Sequence, residues 1–269
     1  MDDMIPPFPP QGQTIQYRLP RRLVAEVVWA ALTLRPRSVA RDATFALTGL
    51  RPALAVRGAE NIPTQGPCLV ACNHYSRPGF AAWWLALAIS AAVAAQRAPG
   101  ADPEIHWVMT AAWTFPESGW RHRTLTPLTR WAFRRVAQVY GFAPMPPMPP
   151  DPREAEARAQ AVLKTVRLAR RMAQEGGIVG LAPEGMDASE RLGQPPAGAG
   201  RFVALLVEAG LPVLPVGVTE AGGRLRASFG PALMPRVPSD RTERDRAVTE
   251  QVMDAIAQQL APRSCSERH

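Results

Sequence analysis

Two short stretches of this chain carry side chains able to hold or move a proton. The first is Asn73-His74-Tyr75-Ser76-Arg77-Pro78-Gly79, which follows five apolar residues at 68–72. A neutral imidazole in such a loop can take a proton from a hydroxyl. The second is Ala182-Pro183-Glu184-Gly185, which follows the apolar run 178–181. Loops at the carboxyl ends of sheet strands are where α/β proteins place ligands and catalysts. His74 and Glu184 therefore face one cleft if their two strands are neighbours. Each also has a plainer reading, a histidine hydrogen-bonded into a turn and a glutamate at the surface or capping a helix.

The elements that must position these loops alternate along the chain. Short apolar runs at 53–56, 68–72, 106–109, 178–181, 213–218 and 225–229 predict strands. Helical patterns fall between or after them, at 80–95, 125–139, 153–174, 202–209 and 240–260. Thr124 and Thr126 stand near the start of the second helix, and Ser239 is a candidate N-cap for the last. Gly176, Gly177 and Gly210 sit where helix ends favour glycine. Gly198-Ala199-Gly200 reads as a flexible lead into a helix. The alternation implies an α/β layered domain with a mostly parallel or mixed central sheet flanked by helices.

Residues 51–262 form that domain in this reading, preceded by a proline-rich arm and helical segment at 1–50 and followed by a flexible polar tail at 263–269. Of the 29 prolines among 269 residues, about twice ordinary usage, many fall at 5–10 and 144–152, which should be loops. Residues 21–34 (RRLVAEVVWAALTL) predict a helix too short to span a bilayer, either packed on the domain or lying in the headgroup layer. The sixteen residues 80–95 (FAAWWLALAISAAVAA) have only Ser90 polar and read as a core helix, with Trp83-Trp84 as a membrane-facing alternative.

Composition closes off other classes. With 46 % apolar and 20 % charged residues the chain can build a core, which excludes disordered, collagen-like and disulfide-scaffold proteins. The net charge is +8, carried almost wholly by arginine, since Lys164 is the one lysine. That balance suits an anionic membrane, whereas no basic stripe interleaved with aromatics points to nucleic acid. Cys68, Cys72 and Cys265 have neither disulfide nor zinc spacing, which fits a reducing compartment. The first ten residues lack a basic segment followed by an apolar one, so no secretory signal is read there. No GxSxG, GxxxxGK[ST], GxGxxG or HExxH occurs, and no metal site is read from the four dispersed histidines.

Taken together, four stretches resemble the glycerophospholipid acyltransferase family (the PlsC-like lysophosphatidate acyltransferases), in that family's order. Gly58-Ala59-Glu60-Asn61-Ile62-Pro63 with Gly66-Pro67 is similar to its lead-in, and Asn73-His74-Tyr75-Ser76 to the start of its NHxSxxD block. Leu181-Ala182-Pro183-Glu184-Gly185 resembles FPEGTR. Leu211-Pro212-Val213-Leu214-Pro215-Val216 resembles VPVVPV, followed by Phe229-Gly230-Pro231-Ala232-Leu233 for the closing GxPL strand. The resemblance spans about residues 53–235. It implies an O-acyltransferase of the 1-acylglycerol-3-phosphate type, peripheral at the inner, cytoplasmic face of the cell membrane. His74 would be the base that deprotonates a lysophospholipid-like or other lipophilic acceptor. Acyl-CoA or acyl-carrier protein would be the donor, with no metal or redox cofactor. Glu184 becomes the acceptor-side or substitute carboxylate and Ser76 a loop-fixing partner. Asn73, Arg77, Gly79, Pro183, Gly185 and Asp187 would line the substrate.

The chain departs from this pattern in three places. The aspartate of HxxxxD is Gly79, Met186-Asp187 replaces Thr-Arg, and Gly141-Phe142-Ala143-Pro144 stands where an arginine is usual. In serine-protease triads, disabling the orienting carboxylate costs on the order of 10⁴ in turnover. Three explanations follow: Glu184 or Asp187 substitutes for the aspartate, the acceptor lacks a phosphate, or catalysis is lost while a lipid-, acyl- or partner-binding groove remains. Arg77, Arg121, Arg123, Arg153 and Arg201 are the candidates for replacement positive charge.

Overall fold

Five apolar residues in succession cannot all face one side of a pleated strand, so the strand they form has to be covered on both faces. Cys68–Cys72 is such a strand and is buried at every position. The computed structural model describes residues 17–113, 115, 120–148, 151–185, 192–221 and 223–261. These include strands β1 (Ala55–Arg57), β2 (Cys68–Cys72), β3 (Ile105–Thr110), β4 (Ala143–Met145), β5 (Ile178–Leu181), β6 (Val213–Ala221) and β7 (Arg224–Phe229). They form one sheet in the order β1-β7-β6-β2-β5-β3-β4. The run from β6 to β4 is parallel. β7 returns antiparallel to β6, and β1 lies parallel to β7, so the sheet is mixed.

Helices cover both faces. α1 (Arg21–Thr33), α2 (Val39–Leu47) and α3 (Trp83–Gln96) contribute Leu23, Ala46, Trp84, Leu85 and Ile89 to one core, against Val70, Cys72, Ile178 and Val216 of the sheet. α5 (Ala155–Glu175), α6 (Ala199–Glu208) and α7 (Arg241–Leu260) build the other, with Met172, Leu206, Val252 and Ile256 against Leu69, Val179 and Val213. α4 (Trp120–Tyr140) packs alongside α1. The helix expected at 80–95 is therefore a core helix, and Trp83 is its exposed large side chain. Among the described residues no helix is long and apolar enough to cross a membrane.

Several expectations are corrected. Pro144 lies in β4 rather than in a loop, paired with Met109 at the outer edge of the sheet. An edge position tolerates proline because its missing N–H faces no partner. α2 carries no signal strong enough to predict; it is nine residues long and capped by Ser38, whose side chain accepts the N–H of Arg41. α4 begins at Trp120 and runs through Pro127, so Thr124 and Thr126 lie inside it. The last helix is capped by Asp240, not Ser239. Gly200 is part of α6, where a Cβ would run into the Asp245 carbonyl of α7. Its role is close helix approach, not flexibility. The segments 1–16 and 262–269 lie outside the described residues.

Candidate functional site

β2 and β5 pair in parallel, with Ala71 opposite Leu181, so the loops that follow them leave the sheet at the same edge. β6 lies on the other side of β2, with Cys72 opposite Val216. Sheet order thus brings the histidine loop, the glutamate loop and the far end of β6 together, although the first lies more than a hundred residues from the other two in sequence.

Asn73 prolongs the sheet by side chain where the backbone ladder stops. Its amide nitrogen donates to the Val218 carbonyl at 3.0 Å and its amide oxygen accepts the Val218 N–H at 2.8 Å. Asn73 is buried, and this reciprocal pair fixes the start of the loop against β6. The next residue, the half-buried His74, donates its backbone N–H to Glu184 Oε1 at 3.1 Å. Glu184 Oε2 accepts the N–H of Gly193 at 2.9 Å. The carboxylate is 3 % exposed, and burial raises its pKa while the two N–H groups pull it back down. Glu184 therefore joins two loops by their main chains, and both its oxygens are engaged by N–H donors.

Cys72, between these groups, is no nucleophile. Its thiol points at the Leu181 carbonyl at 3.7 Å, and burial, with the charge of Glu184, pushes its pKa up to about 12. A thiol that stays protonated at neutral pH does not attack an acyl carbon.

The rest of the histidine loop is held by Glu220, a residue that the sequence reading missed. Arg77 donates from Nε and Nη2 to its two carboxylate oxygens at 2.6 and 2.5 Å. The guanidinium also lies 5.9 Å from the ring centres of both Tyr17 and Phe80. The Tyr75 hydroxyl reaches the same carboxylate at 3.5 Å. A charge two residues beyond the apolar run 213–218 was the available signal; its partner was not. Ser76 is half-buried within this loop.

The loop closes in a tight turn. Arg77 and Phe80 exchange backbone hydrogen bonds at 3.0 and 2.9 Å, with Pro78 and Gly79 at the corners. Gly79 has φ +84°, the left-handed conformation that the third residue of a type II turn requires. A Cβ there would meet Arg77 Nη1 at 3.7 Å, so the aspartate position of HxxxxD has room but a backbone suited to glycine.

Pro183 is buried and Gly185 exposed in the turn after β5; Asp187 and Met186 lie outside the described residues. Of the other arginines, Arg153 is paired with Asp151 at 2.8 Å. Arg123 and Arg201 are exposed, and nothing is described of the Arg121 side chain. Among the described residues no three His, Cys, Asp or Glu side chains are grouped to hold a metal ion.

Comparison with known proteins agrees with the four blocks. The family model described as Acyltransferase matches residues 53–219. No curated protein matches the sequence. Among solved structures, the crystal structure of the 1-acyl-sn-glycerophosphate (LPA) acyltransferase, PlsC, from Thermotoga maritima is similar at 17 % identity and a TM-score of 0.49, covering 90 % of each chain.

Proposed function

The chain belongs to the acyltransferase family, and from that premise we propose that it moves a fatty acyl group from acyl-CoA or acyl-carrier protein to a lysophospholipid-like or other lipophilic alcohol. His74 takes the proton of the acceptor hydroxyl as the oxygen attacks the thioester carbonyl. The new C–O ester bond forms, the C–S bond breaks, and the thiolate leaves with the proton returned from the imidazolium. Glu184 and the Asn73 side chain tie the start of the histidine loop to the glutamate loop and to β6, so the ring is presented from a fixed frame.

The observation that carries this reading is the link between the two loops, Glu184 Oε1 on the His74 N–H at 3.1 Å across two paired parallel strands. A membrane-surface location has its own support. α1 buries Leu23 and Ala30 inward and leaves Val24, Val28, Trp29 and Leu32 exposed on its opposite side. Contiguous exposed apolar surface rimmed by arginine suits the headgroup layer of an anionic bilayer. The inner face of the cell membrane is the location this reading implies.

Gly79 favours a second reading, a non-catalytic lipid- or acyl-binding protein on the same fold, because the residue that would orient the histidine is missing. The two are separated by incubating purified protein with mixed lysolipids and either acyl donor, followed by mass spectrometry. Acylated product that disappears in His74→Ala establishes the transferase and names its acceptor. No product from either donor, with acyl-CoA or lipid binding intact, leaves the binding protein.

A further inference from the structure

Away from the strand-end loops, the described residues form a concave surface between α1 and α2. Between α1 and α2 the backbone turns through Leu34, at φ 56°, and Pro36. The turn encloses a groove of about 460 Å³ lined by Glu26, Trp29, Arg35, Arg37 and Arg41, among others. That volume lies within the range of small-ligand sites, about 300–1,000 Å³.

The charges in this groove do not cancel. Arg37 is locked by Asp42, at 2.6 and 2.8 Å, and by Glu26 at 3.0 Å. Glu26 is also held by Arg22 at 2.9 Å, and Asp42 accepts the Tyr140 hydroxyl of α4 at 2.7 Å. Both carboxylates are thereby matched, and the Arg37 network ties α1, α2 and α4 into one rigid frame. Arg37 also gives its backbone N–H to Val139 of α4 at 2.9 Å. Two guanidinium groups remain. Arg35 makes no side-chain hydrogen bond or ion pair among the described residues. Arg41 stands 3.6 Å from Asp42, whose oxygens Arg37 and Tyr140 already occupy.

Trp29 belongs to two surfaces at once. It lines the groove, and at 59 % exposure it is part of the outward apolar face of α1. A groove with more guanidinium groups than carboxylates along its exposed wall and an indole beside them, next to an apolar helix face, fits an amphiphile with an anionic head. We infer that the α1–α2 groove binds the headgroup phosphate of an anionic phospholipid, with Arg35 and Arg41 as the fork and Trp29 at the level where the acyl chains begin. Guanidinium suits phosphate because its planar donors meet two oxygens together. Indole suits the boundary between headgroup and hydrocarbon. The apolar face commits the site to a lipid rather than a free phosphate, and the inference rests on the membrane-surface reading of α1.

The test is vesicle flotation of the full chain with phosphatidylcholine vesicles and with vesicles in which part is replaced by phosphatidylglycerol. Wild type should prefer the anionic vesicles, and soluble glycerophosphate should not displace it. The Arg35→Gln/Arg41→Gln double variant should lose at least tenfold in affinity for anionic vesicles and keep its binding to phosphatidylcholine. Arg167→Gln/Arg170→Gln, on exposed positions of α5, removes the same charge elsewhere and should lose far less. Equal losses in the two double variants would make the effect one of net charge and overturn the groove. An unchanged anionic preference in the Arg35/Arg41 variant, or displacement by glycerophosphate, would overturn it as well. Absence of binding to either vesicle by wild type would overturn the membrane reading and the groove with it.

Discussion

Two regions of this protein treat charge in opposite ways. At the carboxyl edge of β2, β5 and β6, Glu184 is met by two N–H groups and Arg77 by both oxygens of Glu220. At the α1–α2 turn, the guanidinium groups outnumber the carboxylates: Arg35 makes no ion pair among the described residues, and Arg41 only shares Asp42 with Arg37, at 3.6 Å. Polar groups matched inside the protein hold atoms in place, which is what a reacting centre needs. Cations in excess of the carboxylates around them, beside exposed apolar surface, suit a partner outside the protein. The difference separates a positioning network from the proposed lipid-docking surface within one α/β domain.

Substitutions that break the positioning network rank by how directly they touch the chemistry. His74→Ala removes the proposed base and is expected to lower turnover by about 10²–10⁴-fold, measured as acylated product over time. Glu184→Gln leaves one buried N–H without an acceptor, costing about 1–3 kcal/mol in urea denaturation. It also changes the pH dependence of stability. Because the folded pKa of Glu184 is raised by burial, the native state binds its proton more tightly than the unfolded chain. That contribution is complete below the unfolded glutamate value of about 4.3 and is lost as pH rises through the folded value. The wild-type stability curve should therefore fall across that interval relative to Glu184→Gln, and parallel curves would show that the carboxylate does not titrate in the fold.

Glu220→Gln sharpens the comparison on the side of Arg77. The pair is partly exposed, with side chains 26 % and 14 % accessible, so the cost in stability should stay below about 1 kcal/mol. Turnover should drop about tenfold, as a loosely held histidine loop samples more geometries. KM should change less than kcat, and Glu220→Asp should recover part of the loss. A loss confined to KM would make Glu220 a substrate contact instead. The smallest effect on turnover is expected from Gly79→Asp. The left-handed backbone costs about 1–2 kcal/mol, and the Cβ direction, 3.7 Å from Arg77 Nη1, sends the new carboxylate to Arg77 and leaves turnover unchanged. A rise in turnover would mean that the carboxylate reaches the imidazole and that its absence limits the natural protein.

Much of the fold could be read from the sequence where burial on two faces writes itself as an unbroken apolar run. Residues 68–72 and 178–181 are strands with those bounds for that reason. β4 could not, because Pro144 argues against a strand until the strand is known to lie at an edge. Nor could the role of Gly200, since the carbonyl it accommodates belongs to a helix more than forty residues away. His74 and Glu184 stood out as proton-handling side chains directly after apolar runs. Glu220 did not, because an acid near a strand end means nothing until the strand beside it is known.

The sequence by itself determined the alternation of elements, the family blocks and the residue types available for proton transfer, because these depend on neighbours a few positions apart. Tertiary structure decided which loops share an edge, that Glu184 grips the main chain of His74, that Arg77 is matched by Glu220, and that Arg35 and Arg41 are in excess of the carboxylates around them. Those pairings depend on the order of strands in the sheet and on how α1 and α2 pack, and the close approach of residues distant in sequence is fixed only when the whole core assembles.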